Sequence, residues 1–169
     1  MKNIVLTGFM CSGKTTIGKM VAKKIGYRFI DTDEYIENKT KMQISEIFEK
    51  YGEEKFREIE SQCIKELSDI GGCVIATGGG VVLNAQNMEN LKKNGVVFYL
   101  STKPETILKR SDAIKKRPLI KNSSADEIIK KMESRKPFYQ NNHFQIETDL
   151  LAPMQVSMQI IKSYKNYAR

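Results

Sequence analysis

The chain has no tryptophan, a single histidine (His143), three cysteines and four prolines in 169 residues. Cys11, Cys63 and Cys73 form no CxxC pair, and their odd number argues against a disulfide framework. With no cysteine near His143, a structural zinc site is not expected either. Cys63 and Cys73 fall at apolar positions and read as small core residues. Long apolar runs are also missing: CVIA and VVFYL are far short of the about 20 residues that cross a bilayer. Met1 and Lys2 lead straight into the strand-like IVLT, which leaves no room for a leader peptide, so no membrane association and a cytoplasmic location are expected. A net charge of +8 asks for anionic company, yet the basic residues are scattered and no nucleic-acid-binding module is recognisable. A small anionic ligand or a lysine-rich surface accounts for the excess, and no nucleic-acid partner is expected.

Short β-branched runs alternate with helical patterns: NIVLT, YRFI, CVIA, VVFYL and HFQIE. Between them Ile17, Met20, Val21 and Ile25 share one helical face, as do Ile44, Ile47, Phe48 and Tyr51. Phe56, Ile59, Cys63 and Leu67 form a third stripe, and Val156, Ile160, Tyr164 and Tyr167 a fourth. Strands alternating with helices predict an α/β fold, a five-stranded parallel sheet between two helical layers. The length suits a single domain over residues 1–169. No apolar helix face is left unclaimed, so a monomer is expected. Two regions exceed a simple crossover. Residues 33–67 carry about three short helices, which read as an inserted substrate-binding region. Residues 111–124, polar, basic and broken by Pro118, read as a lid.

GFMCSGKT, residues 8–15, satisfies the phosphate-loop pattern G-x-x-x-x-G-K-[ST], with a strand before it and an amphipathic helix after it. In that context loop N–H groups and a helix N-terminus converge on phosphate oxygens. Gly8, Cys11, Ser12, Gly13, Lys14, Thr15 and Thr16 are the nucleotide-binding candidates. Lys14 is placed to reach the β- and γ-phosphates, and the Thr15 hydroxyl to ligate Mg²⁺. Cys11 stands at a variable position, so the pattern survives; a positive φ there would cost about 1 kcal/mol.

In an open parallel sheet, ligands gather at the carboxyl ends of strands. The second strand ends in DTD, residues 31–33, and the third in TGGG, residues 77–80. An extended backbone would point Asp31 and Asp33 to one side. Magnesium beside Thr15 would satisfy one carboxylate and acceptor hydroxyls the other; the alternative is that one of them caps the following helix. Gly78, Gly79 and Gly80 let backbone approach a ligand, their N–H groups facing an anion. Arg57 and Glu60 lie one helical turn apart. Glu60 can fix the guanidinium fork for a carboxylate, although spacing alone favours an ordinary surface ion pair.

Taken in order, GFMCSGKTTIG, DTDEYIE, ISEIFEKYGEEKFREIE, TGGGVV, KRPLI and SRKPFY resemble the shikimate kinase family over most of the chain, from Asn3 to about Tyr139. The resemblance implies a P-loop kinase fold and transfer of the γ-phosphoryl group of ATP to the 3-hydroxyl of shikimate, a step toward chorismate and the aromatic amino acids. It implies Lys14 and Thr15 on nucleotide and Mg²⁺, with Asp31 assisting the metal. Asp33 takes the ring hydroxyls and helps deprotonate the attacking one. Arg57 and Arg135 grip the shikimate carboxylate, aided by Gly78, Gly79 and Gly80. Arg117, in the lid, closes onto the phosphates, and Arg110 lies against adenine. The chain departs from the pattern at Cys11, where the family commonly has glycine. It departs again at ETDLLAP, residues 147–153, where Pro153 remains but an adenine-side arginine is missing.

Gluconate and nucleoside monophosphate kinases are the nearest alternatives. A GTP-binding switch is more distant. DIGG, residues 69–72, fits DxxG but precedes the third strand, and NKTK, residues 38–41, lacks the aspartate that reads guanine.

Overall fold

The computed structural model describes residues 1–113 and 124–167, the side chains of residues 111–113 excepted. Five strands, β1 (Asn3–Thr7), β2 (Arg28–Asp31), β3 (Cys73–Ala76), β4 (Gly95–Ser101) and β5 (Phe144–Glu147), form one sheet. Its order is β2-β3-β1-β4-β5, with every neighbouring pair parallel. Both the strand number and the direction match the expectation from the alternating pattern.

Among the described residues, eight helical segments surround the sheet: α1 (Lys14–Ile25), α2 (Thr32–Thr40), α3 (Ile44–Ser68), a 3-10 turn (Val81–Leu83), α4 (Ala85–Lys93), α5 (Pro104–Ala113), α6 (Ala125–Tyr139) and α7 (Pro153–Tyr167). Side-chain alternation sorts the strands onto two cores. Ile4, Leu6, Val96, Phe98 and Leu100 face α1 and α7, meeting Ile17, Val21, Val156 and Ile160. Val5, Ile75, Val97 and Tyr99 face the other way, onto Ile64, Leu67, Met88, Leu91 and Tyr139. With both faces covered, β1 is buried along its whole length, and its middle, Ile4, Val5 and Leu6, is an unbroken apolar run. Cys63 and Cys73 are buried, as their positions suggested.

The inserted region contains two helices, but φ 79 and ψ 174 at Gly52 divide α3 into two straight segments, so the chain there runs as three helical pieces. The kink explains one misfit. Tyr51 was expected on the buried stripe, yet it ends the first segment and is half exposed. Tyr167 is a second misfit. It lies over the edge strand, its ring edge-on to His143 and Phe144 with the Lys2 ammonium over it, and it stays partly exposed. A further small cluster, Phe9, Ile107 and Ile128 with Met10, Cys11, Leu108 and Met132 against it, ties the loop after β1 to α5 and α6. Burying a side chain the size of Phe9 is worth about 1.5–3 kcal/mol. That clamp sets where Arg110 and Arg135 stand. No helix among the described residues is long and apolar enough to cross a membrane.

Candidate active site

A cavity of about 710 Å³ opens where β1, β2 and β3 end. Its wall includes Cys11, Ser12, Gly13, Lys14, Thr15 and Thr16 from the loop, Asp31 and Asp33 from the second turn, and Gly78, Gly79 and Gly80 from the third. Arg57, Glu60, Arg110 and Arg135 line it too. Gly8 stays behind the wall, where its carbonyl accepts from Lys14. Arg117 and most of the expected lid lie outside the described residues.

The loop is shaped by backbone. Gly13 caps α1 in the left-handed region at φ 94, and Cys11 holds φ 60. For a non-glycine residue that conformation costs about 1 kcal/mol, and the Arg110 guanidinium steadies it by donating to the Cys11 carbonyl at 3.1 Å. The Lys14 ammonium donates to the Gly8 and Phe9 carbonyls, both at 2.8 Å, and so bridges the loop from the inside. The α1 N-terminus and this ammonium together make a centre for phosphate oxygens.

Asp31 is the last residue of β2 and the N-cap of α2, and both of its oxygens are engaged. One accepts the Asp33 N–H at 3.1 Å, the other the Thr15 hydroxyl at 2.9 Å. The expectation that Asp31 and Asp33 project together from an extended chain is therefore corrected. The helix begins at Thr32, which turns Asp33 into its first turn and makes Asp31 the cap. Asp33 then packs over Gly78, where an added Cβ would come within 2.6 Å of its carboxylate. The adjacent Thr32 is fully buried, and its hydroxyl accepts the Gly78 N–H at 2.8 Å. That N–H is consequently spent inside the fold, against the expectation that all three glycines offer theirs to a ligand. Among the described residues, nothing accepts from the N–H groups of Gly79 and Gly80.

The Arg57–Glu60 pair is not the surface ion pair that spacing favoured. Glu60 is 2% exposed and accepts from the guanidinium at 2.8 Å. Burial pushes the Glu60 carboxyl above its ordinary value, with the Arg57 charge offsetting only part of the shift. Burial alone would lower the Arg57 pKa, but Glu60 and then Glu53 reverse the direction. The guanidinium lies flat against Gly80, where any Cβ would collide with it. Only glycine permits that approach. Arg135 reaches the same turn from α6, donating to the Gly79 carbonyl at 3.3 Å, and the Tyr139 hydroxyl donates to the same oxygen at 2.8 Å. Tyr139 is buried and stacked on Tyr99, centroids 5.0 Å apart, and burial drives its phenol pKa far upward.

Sequence reasoning missed Tyr139, Thr32, Glu53 and Lys131. Glu53 and Lys131 line the cavity; Glu53 lies within the ISEIFEKYGEEKFREIE stretch, but nothing in its spacing singled it out, and Lys131 lies outside the quoted stretches. Tyr139 lay in the SRKPFY stretch, but its stacking on Tyr99 has no local signal. Where the adenine-side arginine was found missing, Leu151 and Pro153 line the cavity with Thr148 and Val156. A mostly apolar wall stands in that place.

A shikimate kinase family model matches residues 10–165. The chain belongs to the shikimate kinase family. Members are ATP-dependent kinases acting on shikimate. The shikimate kinase of Thermodesulfovibrio yellowstonii is 49% identical over 166 residues, covering 98% of this chain and 96% of that one. The shikimate kinase of Caldicellulosiruptor saccharolyticus is 50% identical over 162 residues, covering 95% and 94%. Among solved structures, the Acinetobacter baumannii shikimate kinase in complex with shikimate superposes with a TM-score of 0.91 at 37% identity, covering 99% of this chain and 94% of that one.

Proposed function

We propose that the chain transfers the γ-phosphoryl group of ATP to the 3-hydroxyl of shikimate, giving shikimate 3-phosphate and ADP. The observation that carries this reading is a single cavity lined both by Gly13, Lys14 and Thr15 and by Asp33, Arg57, Gly80 and Arg135. A triphosphate suits the first set; a carboxylate with neighbouring hydroxyls suits the second.

The roles follow from chemistry. Lys14 and the loop N–H groups hold the transferring phosphate. Arg57 meets the substrate carboxylate with the edge that Glu60 leaves it, and Arg135 adds a second cation beside Gly79. The Gly79 and Gly80 N–H groups are the remaining donors toward that anion. Asp33 orients the attacking hydroxyl and accepts its proton late, because phosphoryl transfer passes through a loose transition state in which positioning outweighs full deprotonation. Thr15 and Asp31, a hydroxyl and a carboxylate joined at 2.9 Å, are hard oxygen donors that suit Mg²⁺. The metal, when bound there, would neutralise phosphate charge. Arg110 stands beside the loop at Cys11, and Leu151 and Pro153 offer the base a mostly apolar wall. Residues 33–67 serve as the acceptor-binding region within a single kinase domain.

A coupled assay of ADP release tests the reading with shikimate, gluconate and nucleoside monophosphates as rival acceptors. Shikimate is expected to give kcat/KM at least about 100-fold above the others, as befits a site that pairs buried polar groups. Comparable turnover of gluconate would overturn the assignment.

A further inference from the structure

Arg57 has two acidic partners of opposite character. Glu60, 2% exposed, holds one guanidinium nitrogen at 2.8 Å and has nowhere else to go. Glu53, 66% exposed, holds the other at 3.1 Å and lines the open cavity. Its position is set by the kink: Gly52, at φ 79, ends the first segment of α3, and Glu53 opens the second. An added Cβ at Gly52 meets nothing, so the backbone angle alone asks for glycine there.

Lys131, from α6, lines the same cavity. Among the described residues it makes no ion pair, although the Glu53 charge acts on it. Burial and the nearby Arg135 and Arg57 charges lower its pKa, and Glu53 opposes them. One exposed carboxylate therefore stands within reach of two cations and is bonded to one.

We propose that Glu53 is a stand-in carboxylate: it occupies the outer edge of Arg57 until the acceptor's own carboxylate displaces it, and then turns to Lys131. The inference rests on the reading of Arg57 as the group that receives the acceptor carboxylate. Glu60 balances one terminal nitrogen of the guanidinium, and Glu53 is the counter-charge on the edge that lines the cavity. An exposed pair is weak, which makes Glu53 displaceable. It also makes Glu53 a specificity residue. An acceptor with a carboxylate replaces the ion pair it breaks, whereas one without leaves Glu53 in place.

Glu53→Gln, nearly isosteric and uncharged, tests this. The KM and the calorimetric Kd for shikimate are expected to fall by about 2- to 5-fold, the strength of an exposed pair. The KM for ATP and the affinity for a hydroxymethyl analogue lacking the carboxylate should not change. If Glu53 merely braced Arg57, its loss would raise the shikimate KM, and that result overturns the proposal. Lys131→Met is expected to raise the shikimate KM more in the native background than in Glu53→Gln; an equal rise in both would overturn the transfer to Lys131. Failure of the unmodified protein to use shikimate would sink the acceptor assignment itself. Shikimate turnover with an unchanged KM in Glu53→Gln would sink the displacement alone.

Discussion

The two halves of the cavity are built from different materials. The phosphate half is one contiguous stretch of chain, shaped by Gly13 at φ 94, Cys11 at φ 60 and an ammonium tied to two carbonyls. Its framework is mostly backbone, braced from outside the loop by Arg110 at Cys11 and Asp31 at Thr15. The acceptor half draws on Asp33, Arg57, Gly80 and Arg135, brought together from three helices and a turn. Its chemistry lives in side chains, and a buried shell of Thr32, Glu60 and Tyr139 holds them. A loop that reads phosphate can be reused for many acceptors. A constellation that reads one acceptor must be supported residue by residue.

If that contrast is right, damage to the first half should spare acceptor affinity, and damage to the second should spare nucleotide affinity. Lys14→Met is expected to have the largest effect, lowering kcat by about 100- to 1000-fold with shikimate binding retained by calorimetry. Asp33→Asn should lower kcat by about 100-fold while the KM for ATP stays put; a raised ATP KM would blur the division.

Glu60→Gln probes the supporting shell. It leaves Arg57 without its buried partner and should lower stability by about 2 kcal/mol, less than a fully buried pair because Arg57 still reaches water. The pH dependence has a definite sign. Because the folded carboxyl titrates above its ordinary 4.5, the folded state keeps a proton the unfolded chain has released. The stability from that proton is full below 4.5 and lost as pH rises through the raised value. The gap in Tm between the native protein and Glu60→Gln should therefore shrink with rising pH across that window; a widening gap would mean the ion pair outweighs burial. The smallest effect is expected for Tyr139→Phe, which keeps the stack on Tyr99 but leaves the Gly79 carbonyl with Arg135 as its one side-chain donor among the described residues. About 1 kcal/mol of stability should go, with a modest rise in the shikimate KM alone.

How much of this could be read from the sequence divides along the same line. The sheet was legible because short strand-forming runs, three of them strongly apolar, alternate with helical stripes. The phosphate loop was legible because its function requires adjacent residues. Tyr51 was misplaced because a helical stripe assumes a straight helix, and the φ of Gly52 is invisible to periodicity. The Asp31–Asp33 geometry was missed because the helix starts at Thr32, one residue after the strand ends. Arg57 and Glu60 looked like a surface pair because spacing carries no burial. Glu60 sits under the turn at Gly78, which is far from it along the chain, with its carboxylate on Arg57.

The claim that one cavity seats both donor and acceptor is tested most directly by a crystal structure with shikimate and a non-hydrolysable ATP analogue bound together. The account predicts the shikimate carboxylate within hydrogen-bonding distance of Arg57 and Arg135, a ring hydroxyl on Asp33, and the terminal phosphate beside Lys14. Shikimate bound away from Arg57, or on a surface separate from the phosphates, would contradict it.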